Sequence, residues 1–226
     1  MANGYSDEEM DDLYKSYADP ESPDFDEDMR EQMNDWKKIA DEFEPLLNAG
    51  QRKIFDLAMK AVNTGVQELI FVNGDGGTGE SQPKLSHLID STSLSGKTRL
   101  YNTLVAKLKA NGKNVIATAA TGVASILIFG GQTAHSAFDV PIDLDKNSPI
   151  KLDAQSPKGI AIRNAHVIII DEVSMIHKEV LAFIDRQVRA VCPRDKRHLP
   201  FGGKTVLISG DFKQLPPVVL KGGRIG

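Results

Sequence analysis

The chain is expected to fold as an α/β protein, a parallel sheet with helices on both faces. Three observations predict it. Short apolar runs at 68–72, 114–120, 167–170 and 205–209 alternate with longer stretches whose apolar residues recur at helical spacing. One of them, Val167-Ile168-Ile169-Ile170, is apolar at every position, as in a strand buried on both faces. A glycine-rich segment, Gly74–Gly79, follows the first run and leads toward a helical pattern, and that order belongs to phosphate-binding sheets.

Each element has its own warrant. Residues 1–28 carry high charge and few apolar anchors, and are expected to lack structure. Residues 29–45 can form a helix around Met33, Trp36, Ile39 and Phe43, and the globular body, 46–226, begins near Leu46. Leu47-Asn48-Ala49-Gly50-Gln51 opens a helix with Phe55, Leu57, Ala58 and Val62 on its apolar side. Glu68–Val72 is a strand that runs directly into the glycines. After Lys97-Thr98, the series Leu100, Leu104, Val105, Leu108 marks a helix that stops at Asn111-Gly112, a suitable C-terminal cap. The strand Asn114–Ala120 turns at Thr121-Gly122 into an apolar helix ending at Gly130-Gly131. Residues 139–158 read as irregular, 178–191 as a helix with Val180, Leu181, Ile184 and Val188 inward, and 205–209 as a strand ending at Gly210-Asp211.

Composition narrows the function classes. With 226 residues, 41% hydrophobic and 26% charged, the chain resembles a soluble globular protein. Cys192 is the single cysteine, so an internal disulfide is impossible and a reducing, intracellular compartment is expected. It reads as a buried structural thiol. No apolar run approaches a membrane span, and the acidic start is unlike a targeting peptide. His87, His166, His177 and His198 lack metal-ligand spacing. The net charge of -4 is unevenly spread: residues 1–45 hold 16 of the 31 acidic side chains and 4 of the 27 basic ones. The remaining 23 basic against 15 acidic residues make a basic body, which suits a nucleic-acid partner or is simply solvated surface.

The glycine segment is a Walker A loop cut in two. Gly74-Asp75-Gly76-Gly77-Thr78-Gly79 is its first half, Glu80 stands where a lysine belongs, and Ser95-Gly96-Lys97-Thr98 supplies the ending. Joining Gly79 to Lys97 restores the full phosphate-loop pattern. Backbone N–H groups of such a turn cradle phosphates, the lysine adds a point charge, and the Thr hydroxyl binds magnesium. A carboxylate at Glu80 opposes that charge. Residues 80–96 are polar, without helical or alternating periodicity, and read as an inserted loop. Two origins stay open. Gly79-Glu80-Ser81 and Ser95-Gly96 can be encoded by a splice donor and acceptor, which makes the segment a hypothetical retained intron; a true insertion is the other. Transcript sequencing across the break decides between them.

Asp171-Glu172 follows the buried run and sits at the C-terminal tip of a strand, where ligands bind in open α/β sheets. In that position Asp171 would hold magnesium and Glu172 would orient and deprotonate an attacking water.

Five segments occur in order: the split Gly-Gly-Thr-Gly/Lys97-Thr98, Ala119–Ala124, Gly130–Phe138, Asp171–Met175 and Gly210–Val218. Over residues 46–220 the chain resembles the petite-integration-frequency type of DNA helicase, which includes the helicase part of Helitron transposons. The resemblance implies a RecA-like P-loop NTPase domain, ATP and Mg2+ as cofactors, and single-stranded DNA or DNA duplex junctions as partners. It also implies nuclear work in DNA repair, recombination and telomere maintenance. By position it makes Gln51 an adenine reader. Gly74, Gly76, Gly77, Thr78, Gly79, Gly96, Lys97 and Thr98 become nucleotide contacts. Thr121, Gly122, Thr133, His135 and Phe138 become DNA contacts, the last by stacking on bases. Gln214 becomes the sensor of the terminal phosphate. Family members continue into a second motor domain with an arginine finger, so this chain alone is expected to bind nucleotide without unwinding. The two readings are the first motor domain of an ATP-dependent helicase, and a catalytically inactive DNA-binding module or transposon-derived remnant.

Overall fold

The apolar runs expected to be strands are strands. In the computed structural model, which describes residues 27–73, 87–89, 96–145 and 148–210, they are β1 (Leu69–Asn73), β2 (His87–Ile89), β3 (Val115–Ala119), β4 (Gln132–Thr133), β5 (Val167–Asp171) and β6 (Thr205–Gly210). Among the described residues they form one sheet in the order β2-β1-β6-β5-β3-β4. Every pairing is parallel. β2 corrects the expectation of unbroken loop over 80–96: a three-residue extended piece of that segment pairs with β1, Ile70 opposite His87. Three residues are too few for an alternation signal to emerge. The two-residue β4 escapes notice for the same reason.

Alternation along the strands sends side chains to two cores. Ile70, Val72, Ala117, Val167, Ile169 and Leu207 pack with helices α2 (Ala49–Thr64) and α3 (Lys97–Ala110). Ile168, Ile170 and Val206, flanked by Phe71, Ile116 and Ile208, pack on the other face. There they meet α6 (Pro157–Asn164) and α7 (Lys178–Val191). β5 is buried at all five positions, as its unbroken apolar run required. Each fully buried Ile or Phe contributes about 1.5–3 kcal/mol relative to exposure.

Helix α1 (Glu27–Phe43) begins two residues before the expected start, so Glu27 and Asp28 are helical. It lies along α3. Trp36 and Phe43 bracket Phe129 at ring separations of 5.7 and 6.1 Å, and the Lys109 ammonium lies 4.4 Å from the Trp36 ring. The expected long helix after β3 is only α4 (Gly122–Ile126), followed by a turn and α5 (Ala134–Ala137). Asn102 of α3 explains the truncation. Its Nδ2 donates to the Leu127 carbonyl at 3.0 Å, and its Oδ1 accepts from the Phe129 N–H at 2.8 Å. Those backbone groups are thereby removed from any continued helix. Helix α6, inside a stretch read as irregular up to residue 158, carried a signal in Ser156-Pro157. Ser156 caps the Gly159 N–H at 3.0 Å, with proline at the first helical position. Gly159 is required there, since an added Cβ would stand 2.1 Å from the Asp153 carbonyl.

Candidate active site

The sheet delivers Asp171 and Glu172 to the C-terminal rim of β5. Asp171 is 7% exposed. Its Oδ1 accepts from Ser209 Oγ at 2.5 Å and from the Glu172 N–H at 2.9 Å, while Oδ2 accepts no hydrogen bond among the described residues. Glu172 adopts φ 56°, ψ 38°, the left-handed region that non-glycine residues seldom occupy. Such strain concentrates at functional sites. Its Oε2 lies 3.5 Å from Thr121 Oγ1, a long contact.

Lys97 and Thr98, both partly buried, open α3. The preceding Gly96 sits at φ 98°, a conformation open to glycine and strained for other residues. The first turn of a helix has N–H groups without intrahelical partners, which make a positive helix end. Tyr101 lies one turn beyond Lys97 on the same helix face. It is fully buried, and burial, reinforced by the Asp171 carboxylate, pushes its phenol well above the usual ionisation range. The helix that carries Lys97 therefore runs past the Asp171 carboxylate. Sequence reading missed Tyr101, Ser209 and Asn102; the place of Tyr101 and Asn102 between Leu100 and Leu104 was the available signal for those two.

Gln51 is 2% exposed. Its Nε2 donates to the Gly96 carbonyl at 3.1 Å, which brings it to the end of the split loop. Its Oε1 accepts from the Asn48 N–H at 3.0 Å while Asn48 Oδ1 accepts from the Gln51 N–H at 2.9 Å, a reciprocal cap on α2. The amide expected to read adenine is thus engaged within the protein. Gly74, Gly76, Gly77, Thr78, Gly79 and Gln214 lie outside the described residues.

The donor set fits a hard cation. Asp171 Oδ2 and the Thr98 hydroxyl are oxygen donors, and Mg2+ keeps several waters and takes phosphate oxygens, needing few protein ligands. No cluster of three His, Cys, Asp or Glu occurs among the described residues, which excludes there a cage built from protein side chains alone.

A second rim lies beside it. Thr121 Oγ1 accepts from the Ala124 N–H at 3.2 Å and caps α4; Thr133 Oγ1 accepts from the Ser136 N–H at 3.2 Å and caps α5. Ala119 pairs with Thr133, so the two caps stand at neighbouring strand tips. Gly122 and His135 are exposed. Phe138 is corrected: it is 0% exposed, packed in the core with Ile170 and Phe183, and cannot offer its ring to a base. Cys192 is buried and its thiol is pushed up by that burial, which leaves it unreactive. Among the described residues no helix is long and apolar enough to cross a membrane.

Comparison with known proteins follows this geometry. The sequence model of the PIF1-like helicases matches residues 87–226. The match starts inside the 80–96 segment and leaves the first half of the phosphate loop outside. No curated protein matches the chain. Among solved structures, Bacteroides Pif1 bound to single-stranded DNA aligns with a TM-score of 0.57 and 32% identity, over 77% of this chain and 34% of that one. Pif1 helicase from Bacteroides in complex with ADP-AlF3 and single-stranded DNA gives 0.57 and 30%, over 79% and 35%. Pif1 helicase from Candida albicans gives 0.54 and 26%, over 76% and 34%. The chain spans about a third of the length of these solved helicases.

Proposed function

The chain belongs to the PIF1-like helicase family, and from that premise we propose that it is the nucleotide-binding motor domain of an ATP-dependent DNA helicase. One observation carries the reading. Lys97-Thr98 opens the helix whose Tyr101, one turn on, feels the charge of the Asp171 carboxylate at the tip of β5, which supports a common site for the two motifs. In this reading Lys97 neutralises the outer phosphates, and Thr98 and Asp171 hold the metal. Magnesium supplies charge stabilisation for the phosphoryl group in flight. Glu172 orients the attacking water and takes its proton, and Gln214 senses the terminal phosphate. Gly96, with Gly74 to Gly79, supplies the backbone cradle, and Gln51 reaches the base only by exchanging its present partners.

The DNA side rests on the second rim. Thr121, Gly122, Thr133 and His135 offer hydroxyl, backbone N–H and imidazole groups of the kind that position phosphates without reading sequence. The Bacteroides relatives are solved with single-stranded DNA, and that likeness supports the same partner here.

One observation favours the second reading, an inactive module. Seventeen residues, 80–96, separate Gly79 from Lys97. Binding of a fluorescent ATP analogue, with and without Mg2+, separates the two. The chain lacking residues 80–96 is expected to bind in a Mg2+-dependent way, and Lys97→Ala in that background to weaken binding about a hundred-fold, the loss of charge-assisted bonds. If the rejoined chain ignores the analogue, the inactive module stands.

A further inference from the structure

The Tyr101 hydroxyl is fully buried and lies within reach of Ser209, yet it makes no well-aligned hydrogen bond among the described residues. A buried donor left unpaired is costly, so its survival invites a functional reason. Its surroundings supply one. Ser209 follows Ile208 on β6, and Ile208 pairs with Ile170, which places Ser209 beside Asp171 on the adjoining parallel strand. The single proton of Ser209 Oγ is already given to Asp171 Oδ1. The lone pairs of that oxygen can still accept. The phenol O–H is a donor that the Ser209 oxygen can receive.

We propose that the Tyr101 hydroxyl is a positioning group for Asp171, acting through Ser209 in a buried relay that sets the carboxylate for a divalent cation. With a cation held by Asp171, the phenol O–H would donate to Ser209 Oγ and so sharpen the Ser209 donation to Oδ1. Oδ1 is pinned by Ser209 and the Glu172 N–H, and Oδ2 would be the oxygen that holds the cation. The relay deepens the nucleotide-site reading and rests on it.

The test measures Mn2+–ATP binding, by Mn2+ electron paramagnetic resonance, and urea denaturation for the full chain and its variants. Tyr101→Phe and Ser209→Ala are each expected to weaken Mn2+–ATP binding about ten-fold, as loss of an outer-shell partner does. The double variant should be no weaker than either single one. Tyr101→Phe should denature at the same or a higher urea concentration than the parent, because it removes an unpaired buried hydroxyl. A hydroxyl serving stability alone predicts the reverse, lower stability with unchanged metal binding, and that pair of results overturns the relay. Asp171→Asn separates the two levels. If it abolishes binding while Tyr101→Phe binds like the parent, the relay fails and the nucleotide site survives. If it changes nothing, the nucleotide site fails. The denaturation cycle then judges the relay alone, with additive effects of Tyr101→Phe and Ser209→Ala sinking it and coupled effects supporting it.

Discussion

At the scale of single residues, Glu172 is the clearest trade between stability and chemistry. Its left-handed backbone costs what glycine would not pay. Glu172→Gly is expected to hold or raise the unfolding free energy, by up to about 1 kcal/mol, while removing the group assigned to activate water. Urea denaturation of the chain checks the first half. His166 gives a pH signature with a definite sign. Burial, then the nearby Lys113 and Lys204, hold its imidazole below the ordinary value, and its Nδ1 accepts from the Asn114 N–H at 3.2 Å. The folded state therefore binds the proton less readily than the unfolded one. Its contribution is complete above the unfolded value and is lost as pH falls through about 6.5 toward the lowered folded value. Denaturation midpoints should drop between about pH 7.5 and 5.5, and His166→Gln should flatten that slope. These residues also mark what could be read from sequence. The positions of Asp171 at a strand tip and Lys97 at a helix start were legible because the flanking apolar run and glycine mark those boundaries. Phe138 was misassigned because motif position says nothing of which way a ring turns, and only packing against Phe183 and Ile170 decides it. Gln51 was legible as a residue of the helix start, but its bond to Gly96 joins segments that no local pattern relates.

At the scale of elements, helix α1 packs extensively along α3, and the ring contacts that fix its end can be tested one at a time. Trp36 is the sole tryptophan, and it rests against Phe129 and beneath Lys109. Phe129→Ala is expected to shift Trp36 emission to the red and to let α1 detach at lower urea than the sheet unfolds, giving two transitions where the parent gives one. Coincident fluorescence and far-UV transitions in the variant would count against independent docking. Helices with a full apolar stripe, such as α7, were legible in extent and in most of the stripe, though Phe183 and Gln187 are buried beyond the residues expected. Helix α4 was overestimated because Asn102 reaches across from α3 to take its would-be carbonyl and N–H partners. That is a tertiary override of local propensity. Gly159→Ala should be severe by contrast, since the new methyl would stand 2.1 Å from the backbone oxygen of Asp153, which cannot move aside without unseating α6.

At the scale of the whole molecule, the parallel sheet with two cores explains why fold and rim were legible together. Apolar runs dictate strands, parallel pairing puts all their C-terminal ends on one side, and the motifs sit at those ends. If the basic body contacts DNA, affinity for a single-stranded oligonucleotide should fall steeply with salt, with a log–log slope of about −0.7 per phosphate neutralised. A salt-independent or absent interaction would remove the nucleic-acid partner from this chain. The strand β2 carries one more implication. It is contributed by the 80–96 segment and shields the outer side of β1. Excising that segment to rejoin the phosphate loop strips β1 of this neighbour and leaves its N–H and C=O groups as a bare template for other chains. The rejoined protein should therefore be stickier than its parent, scattering more light as concentration rises, a liability created by the same cut that restores the nucleotide cradle.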